Sequence, residues 1–185
     1  MLDRQPTLEA GPLLLRPLRE ADWQALFAVA SDPLIWEQHP AHDRWQEPVF
    51  RAFFDDALAN EGALAIIDKN LGPTGTIIGS SRYQGLETGN GGSIEIGWTF
   101  LARSHWGGPT NLAMKRLMVA HALGSVAECR FAVGDDNWRS RKAMEKIGGR
   151  LTDRTDMRGM AGSERIHVYY VIGKDEFESG PLGQG

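Results

Sequence analysis

The chain has 185 residues, enough for one domain with a sizeable core, and its 42% apolar and 24% charged residues are ordinary for a globular protein. A net charge of −4 and a pI near 5.7 leave no basic excess for nucleic acid as the main partner. The single cysteine, Cys129, excludes an internal disulfide and any CxxC metal or redox site. No stretch approaches the roughly 20 apolar residues of a membrane span, and no signal-like run opens the chain. The expectation is a soluble, cytoplasmic protein without a metal.

Residues 1–11 read as an N-terminal arm. "LLLRPL" (13–18) is a short strand, and "READWQALFAVASD" sets Trp23, Leu26, Phe27 and Ala30 at helical spacing, up to Asp32-Pro33. A tryptophan-rich connection, "LIWEQHPAHDRW", leads to a second helix, "VFRAFFDDALAN". The period then becomes strand-like through "ALAIID", "TIIGSSRY" and "SIEIGWTF", three strands with short turns that are most simply antiparallel. The loop "SHWGGPTN" enters the helix "LAMKRLMVAHAL". A strand at 129–133, a helix from about 138 to 147 and a hairpin pairing 150–158 with 164–173 follow. The end of the chain, "GPLGQG", has little to pack and reads as a flexible tail over 179–185, leaving a single domain over 12–178. The order is that of an α+β fold around one mixed sheet; the regular βαβ alternation and GxGxxG of a dinucleotide fold are absent.

Two stretches carry chemistry. The helix at 112–123 is apolar almost all round, with Lys115, Arg116 and His121 as its polar positions, so its N-terminus is held by the core. Such an N-terminus offers free N–H groups and the positive end of the helix dipole, and Gly107 and Gly108 admit an anion close to the backbone. On the loop alone, a plain strand-to-helix turn is an equal explanation. The second stretch is "NWRSRKAMEKIGG" (137–149), in which Asn137 stands at a helix N-cap.

Together, "LLLRPLREADWQALFAVASDP", "IEIGWTFLARSHWGG", "NLAMKRLMVAHAL" and "FAVGDDNWRSRKAMEKIGGRL" resemble the GCN5-related N-acetyltransferases, in particular the ribosomal-protein alanine N-acetyltransferase branch. The resemblance covers nearly the whole chain, and it rests on order and spacing rather than on any one motif. It implies a mostly antiparallel twisted sheet of about seven strands flanked by four helices, with splayed central strands. It also implies acetyl-CoA as cosubstrate. Trp106, Gly107, Gly108 and Thr110 would hold the pyrophosphate, and the backbone of Trp98, Thr99 and Phe100 would pair with the pantetheine arm. Asn137 and Ser140 match contacts on the pantetheine side, and Arg103 and Arg141 are candidates for the CoA phosphates.

Two positions depart from the family pattern. Pro109 stands where a second loop glycine is usual, which removes an amide donor. Met144 stands where many members carry a tyrosine that protonates the leaving thiolate; in the ribosomal-protein branch the serine at the position of Ser140 has been given that role. Glu95 is the candidate base, on a strand whose alternation puts Glu95, Gly97 and Thr99 on one face and Ile94, Ile96, Trp98 and Phe100 on the other. A structural ion pair with an arginine explains Glu95 nearly as well. The expected function is acetyl transfer to a peptide α-amine or a small amine in a ternary complex. A non-catalytic CoA-binding module and a plain interaction domain remain open, as does a homodimer.

Overall fold

The computed structural model describes residues 1–160 and 163–184. Its elements are β1 (Leu8–Ala10), β2 (Leu13–Pro17), α1 (Trp23–Ala30), α2 (Glu47–Ala59), β3 (Ala63–Asp68), β4 (Thr76–Glu87) and β5 (Ser93–Leu101). They continue with α3 (Thr110–Leu123), β6 (Glu128–Gly134), α4 (Trp138–Lys146), β7 (Arg150–Met160), β8 (Ser163–Gly173) and α5 (Lys174–Ser179). The strands form one sheet in the order β1-β2-β3-β4-β5-β6-β8-β7. Every neighbouring pair is antiparallel except β5 and β6, which the α3 crossover makes parallel.

Among the described residues there are eight strands in the sheet and five α-helices, against about seven and four expected. The extra strand lies inside the supposed arm: Leu8 pairs with Leu15 and Ala10 with Leu13 around a turn where Gly11 has a positive φ. Three residues are too few for a readable alternation, and Leu2, also in the arm, is buried. The extra helix is α5. It delivers Leu182 into the core with no exposed surface, so the supposed tail is pinned at that one residue while its described neighbours are exposed or half-buried; Gly185 lies outside the described residues.

Strand alternation sorts side chains between two cores. Leu64, Ile66, Ile94 and Ile96 meet Met114, Met118 and Val119 of α3, whereas Ala63, Ala65 and Phe100 meet Phe50 and Phe54 of α2 and Leu26 of α1. Aromatic contacts knit the second core, among them Trp23 stacked on Phe27 at 5.3 Å and Trp36 against Phe100 at 5.1 Å.

Two irregularities shape the middle of the sheet. Opposite β4, Arg82 pairs with Gly97 but Ser80 pairs with Phe100, so β5 carries one extra residue there, and Trp98 adopts φ 52. This bulge overturns the simple alternation expected for the strand. Ile94 and Ile96 face α3, yet Phe100 faces α2 while Leu101 faces α3. Thr99 thereby turns toward α3, away from the face of Glu95. The second irregularity is the splay. β5 and β6 pair only through Ser93–Glu128, Ile94–Cys129 and Glu95–Arg130, while β6 runs on against β8 to Gly134–His167.

Candidate active site

The splay opens a cleft between β5 and β6 that two adjoining cavities occupy. The inner one, about 160 Å³, is lined by Glu95, Gly97, Trp98 and Thr99 of β5, by Lys115 of α3, by Phe131 of β6, and by Asn137, Ser140 and Met144 at α4. Arg158, His167, His39 and Arg44 complete its lining. The outer one, about 720 Å³, runs past Trp106, Gly107, Gly108 and Pro109 to Lys142 and Lys146. Thr99, Asn111, Ser140 and His39 border both.

The glycine loop is held from outside and open within. The Trp106 indole donates to the Leu101 carbonyl at 2.9 Å, and the Arg139 guanidinium stacks on its ring at 4.4 Å while donating to the Ile35 carbonyl. Gly107 has φ 72, a left-handed conformation that favours glycine, and a Cβ at Gly107 or Gly108 would meet nothing within 4 Å. Pro109 caps α3 without an N–H of its own. Bare backbone at a firmly held helix N-terminus, with Arg139, Lys142 and Lys146 along the wall, fits the diphosphate of a CoA.

On the opposite wall, the Asn137 side chain accepts from the Ser140 amide at 3.2 Å, the N-cap expected for α4. Arg103 and Arg141, both candidates for the CoA phosphates, line neither cavity. Arg103 is paired with Asp32 at 2.6 Å, and Arg141 donates to the Asp135 carbonyl and to the Tyr170 hydroxyl and stacks on Trp138. Thr110 opens α3 but is not part of either lining. The basic groups at the outer cavity come instead from the exposed side of α4, where surface lysines give no distinguishing sequence signal.

Glu95 is buried, and Arg158 grips both its oxygens, at 2.9 and 2.8 Å. The same guanidinium donates to the Tyr169 hydroxyl, which in turn donates to Asp156. Its hydrogen bonds to Glu95 raise the Arg158 pKa. A fork of this kind fixes the carboxylate and leaves its outer lone pairs toward the cavity. Burial, reinforced by nearby Arg44, Arg139 and His167, pushes His39 down to about 3, so it is neutral at pH 7 and its Nδ1 accepts from the Ala41 amide.

Lys115, which the sequence offers only as a polar position, is 2% exposed. Its ammonium donates to the Thr99 hydroxyl at 2.9 Å and lies 5.3 Å from the Phe131 ring centre, and burial pushes its pKa down to about 7. The signal was there: Lys115 shares the helical stripe of Met118, Val119 and Ala122 and follows Asn111 by one turn. Cys129 is fully buried and pushed up to about 12, chiefly by burial, which leaves no thiolate for an acyl-cysteine route. His105 lies 3.3 Å from Asp68, His121 donates to the Asp3 carbonyl, and Trp45 is exposed outside both cavities. Trp36 and Trp98 do line the cleft.

A profile of the acetyltransferase (GNAT) domain matches residues 12–150. The chain belongs to the GNAT acetyltransferase family. Among solved structures, a GCN5-related N-acetyltransferase from Brucella melitensis superposes with a TM-score of 0.78 at 22% identity, over 97% of this chain and 83% of that one. A probable GNAT-family acetyltransferase from Chromobacterium violaceum gives 0.79 at 18% identity, over 94% and 88%. Mycobacterium smegmatis RimJ in complex with CoA-disulfide gives 0.71 at 19%, over 96% and 90%. At these identities the likeness is one of fold. A search of curated proteins found no match. Family membership carries acetyl-CoA-dependent acetyl transfer as the general activity. No helix among the described residues is long and apolar enough to cross a membrane, and none of their His, Cys, Asp and Glu side chains gather in threes to hold a metal.

Proposed function

We propose that this GNAT protein transfers acetyl from acetyl-CoA to a primary amine, a peptide α-amine or a small-molecule amine, by direct attack in a ternary complex. The observation that carries the reading is the cleft between β5 and β6, whose two adjoining cavities share Thr99, Asn111 and Ser140 and reach from the open glycine loop to the buried carboxylate of Glu95. The bound cosubstrate supplies a thioester carbonyl. The amides of Gly107 and Gly108 and the N-terminus of α3 hold its diphosphate, with Trp106 and Arg139 fixing the loop. The free backbone of Trp98, Thr99 and Phe100, beyond the last β6 partner, pairs with the pantetheine arm; Asn137 and Ser140 form the opposite wall. At the bulge, an amide freed from the β4 ladder polarises the carbonyl, as in an oxyanion hole.

Glu95, held by Arg158, accepts the amine proton through a water on its open side. Ser140 stands beside the leaving sulfur. An α-amine, with an ordinary pKa near 8, loses its proton at neutral pH more readily than an alkylamine near 10. The test is thiol release from acetyl-CoA with a panel of α-amines and alkylamines, run with the wild type and Glu95→Gln. Amine-dependent turnover that falls at least about tenfold in Glu95→Gln supports the reading. CoA binding without turnover of any amine, and no effect of the substitution, establishes a non-catalytic CoA-binding module instead.

A further inference from the structure

The acetyl-transfer reading leaves the leaving sulfur without an acid. Met144, buried on α4, occupies the position where a tyrosine would be expected, and a serine hydroxyl such as Ser140 has no proton to spare near neutral pH unless another group resupplies it. Lys115 is a charged group in the right place. Its Nζ bonds Thr99 on one splayed strand and lies over Phe131 on the other, so it stands in the fork where β5 and β6 part company. No carboxylate lies within ion-pair distance of it among the described residues. A buried ammonium without a counter-ion is costly to keep in a fold, and here it opens onto the inner cavity beside Ser140.

We propose that Lys115 is the general acid of the transfer, resting on the acetyl-CoA reading above. The amine lone pair forms the new C–N bond and the C–S bond breaks with its electron pair going to sulfur. A proton passes from Lys115 Nζ to that sulfur, directly or through the Ser140 hydroxyl. The proton shed by the amine leaves toward Glu95, and neutral Lys115 is recharged from solvent when the cleft opens. Burial prepares the group for this: an amine held at about 7 gives up its proton far more readily than an ordinary lysine.

The titratable and charged groups around it do not compete. From β6 it faces the Cys129 thiol, which stays protonated. On β5, Glu95 points to the other face and is taken by Arg158 of β7, whose charge is thereby neutralised. His39 and His167, both held down chiefly by burial, and Arg44 complete the lining of the cavity.

The deciding experiment uses CoA alone with the full-length protein and its Lys115→Met and Lys115→Arg variants, following thiolate ultraviolet absorbance of bound CoA against pH. In the wild type the bound thiol ionises at lower pH than free CoA; in Lys115→Met it ionises at or above the pH of free CoA; Lys115→Arg, a cation that cannot donate, keeps the lowered value. With an acceptor amine present, kcat in the wild type falls as pH rises through about 7. Lys115→Arg loses about 100-fold in kcat along with that limb, at an unchanged Kd for CoA. Identical thiol titrations in the wild type and Lys115→Met overturn the assignment, with or without a known acceptor. So does a loss confined to KM for acetyl-CoA. Failure of the wild type to bind CoA overturns the acetyl-transfer reading as well, whereas bound CoA with an unaltered thiol overturns the role of Lys115 alone.

Discussion

Replacing Arg158 with methionine removes the fork that holds Glu95 and leaves a buried carboxylate facing the cavity. Two charge-assisted hydrogen bonds, at 2.9 and 2.8 Å, disappear, together with the contact to the Tyr169 hydroxyl. Breaking a fully buried pair from one side costs about 3–5 kcal/mol, and an exposed pair about 0–1. With side-chain exposures of 11% for Glu95 and 25% for Arg158, this pair lies between the two, at roughly 2 kcal/mol. For a chain of this size that corresponds to a fall in Tm of about 4–8 °C. The assay is a double-mutant cycle in urea with Glu95→Gln, Arg158→Met and the double variant. Because the double variant strands no charge, it loses less than the sum of the single ones, with a coupling of about 1.5–2.5 kcal/mol. A coupling under about 0.5 kcal/mol refutes the reasoning, because the fork would then be incidental to how Glu95 is held.

Gly107→Ala forces an L side chain into φ 72, a strain of about 1–2 kcal/mol, and projects its methyl into the open loop; calorimetry is expected to show CoA binding weakened about tenfold and the Tm lowered. Gly108→Ala, which has no positive φ to strain, should weaken CoA binding with little change in Tm. The His39 pKa is depressed to about 3, so the unfolded chain binds the extra proton first and stability falls as pH drops from about 6.5 toward 3. Equilibrium unfolding at pH 6.5 and pH 4 should therefore show roughly 3 kcal/mol more stability lost in the wild type than in His39→Asn, and equal losses would exclude His39 as the source.

The long elements were legible because their periods are strong: the Trp23–Ala30 and Glu47–Ala59 helices, the three strands from Ala63 to Leu101 and the α3 crossover all lie close to where pattern puts them. The short β1 and the seating of Leu182 were not, since both depend on partners distant in sequence. Within the site, Gly107, Gly108, Asn137 and Ser140 stand out by local chemistry and do line the cleft. The arginines' partners were not legible, because a guanidinium's contacts are set by the tertiary structure: Arg103 pairs with Asp32 and Arg141 with the Asp135 carbonyl, while Arg139 reaches the glycine loop. The grip of Arg158 on Glu95 depends on the pairing of β7 with β8, far along the chain. Lys115 was missed because a lysine on a helix defaults to solvent, although its stripe of neighbours is buried.

The extra residue at Trp98 lets β5 turn both of its faces toward one cavity. With unbroken pleating, the Glu95 carboxylate and the Thr99 hydroxyl would stand on the same face of the strand. The bulge puts them on opposite sides, Glu95 with Arg158 and Thr99 with Lys115. Glu95 and Thr99 therefore reach the same inner cavity from different faces of one strand, so the two groups proposed to handle protons meet it at separate points. Deleting Trp98 would remove the bulge and one cavity-lining side chain while keeping Glu95 and Thr99 on opposite faces of a regular strand.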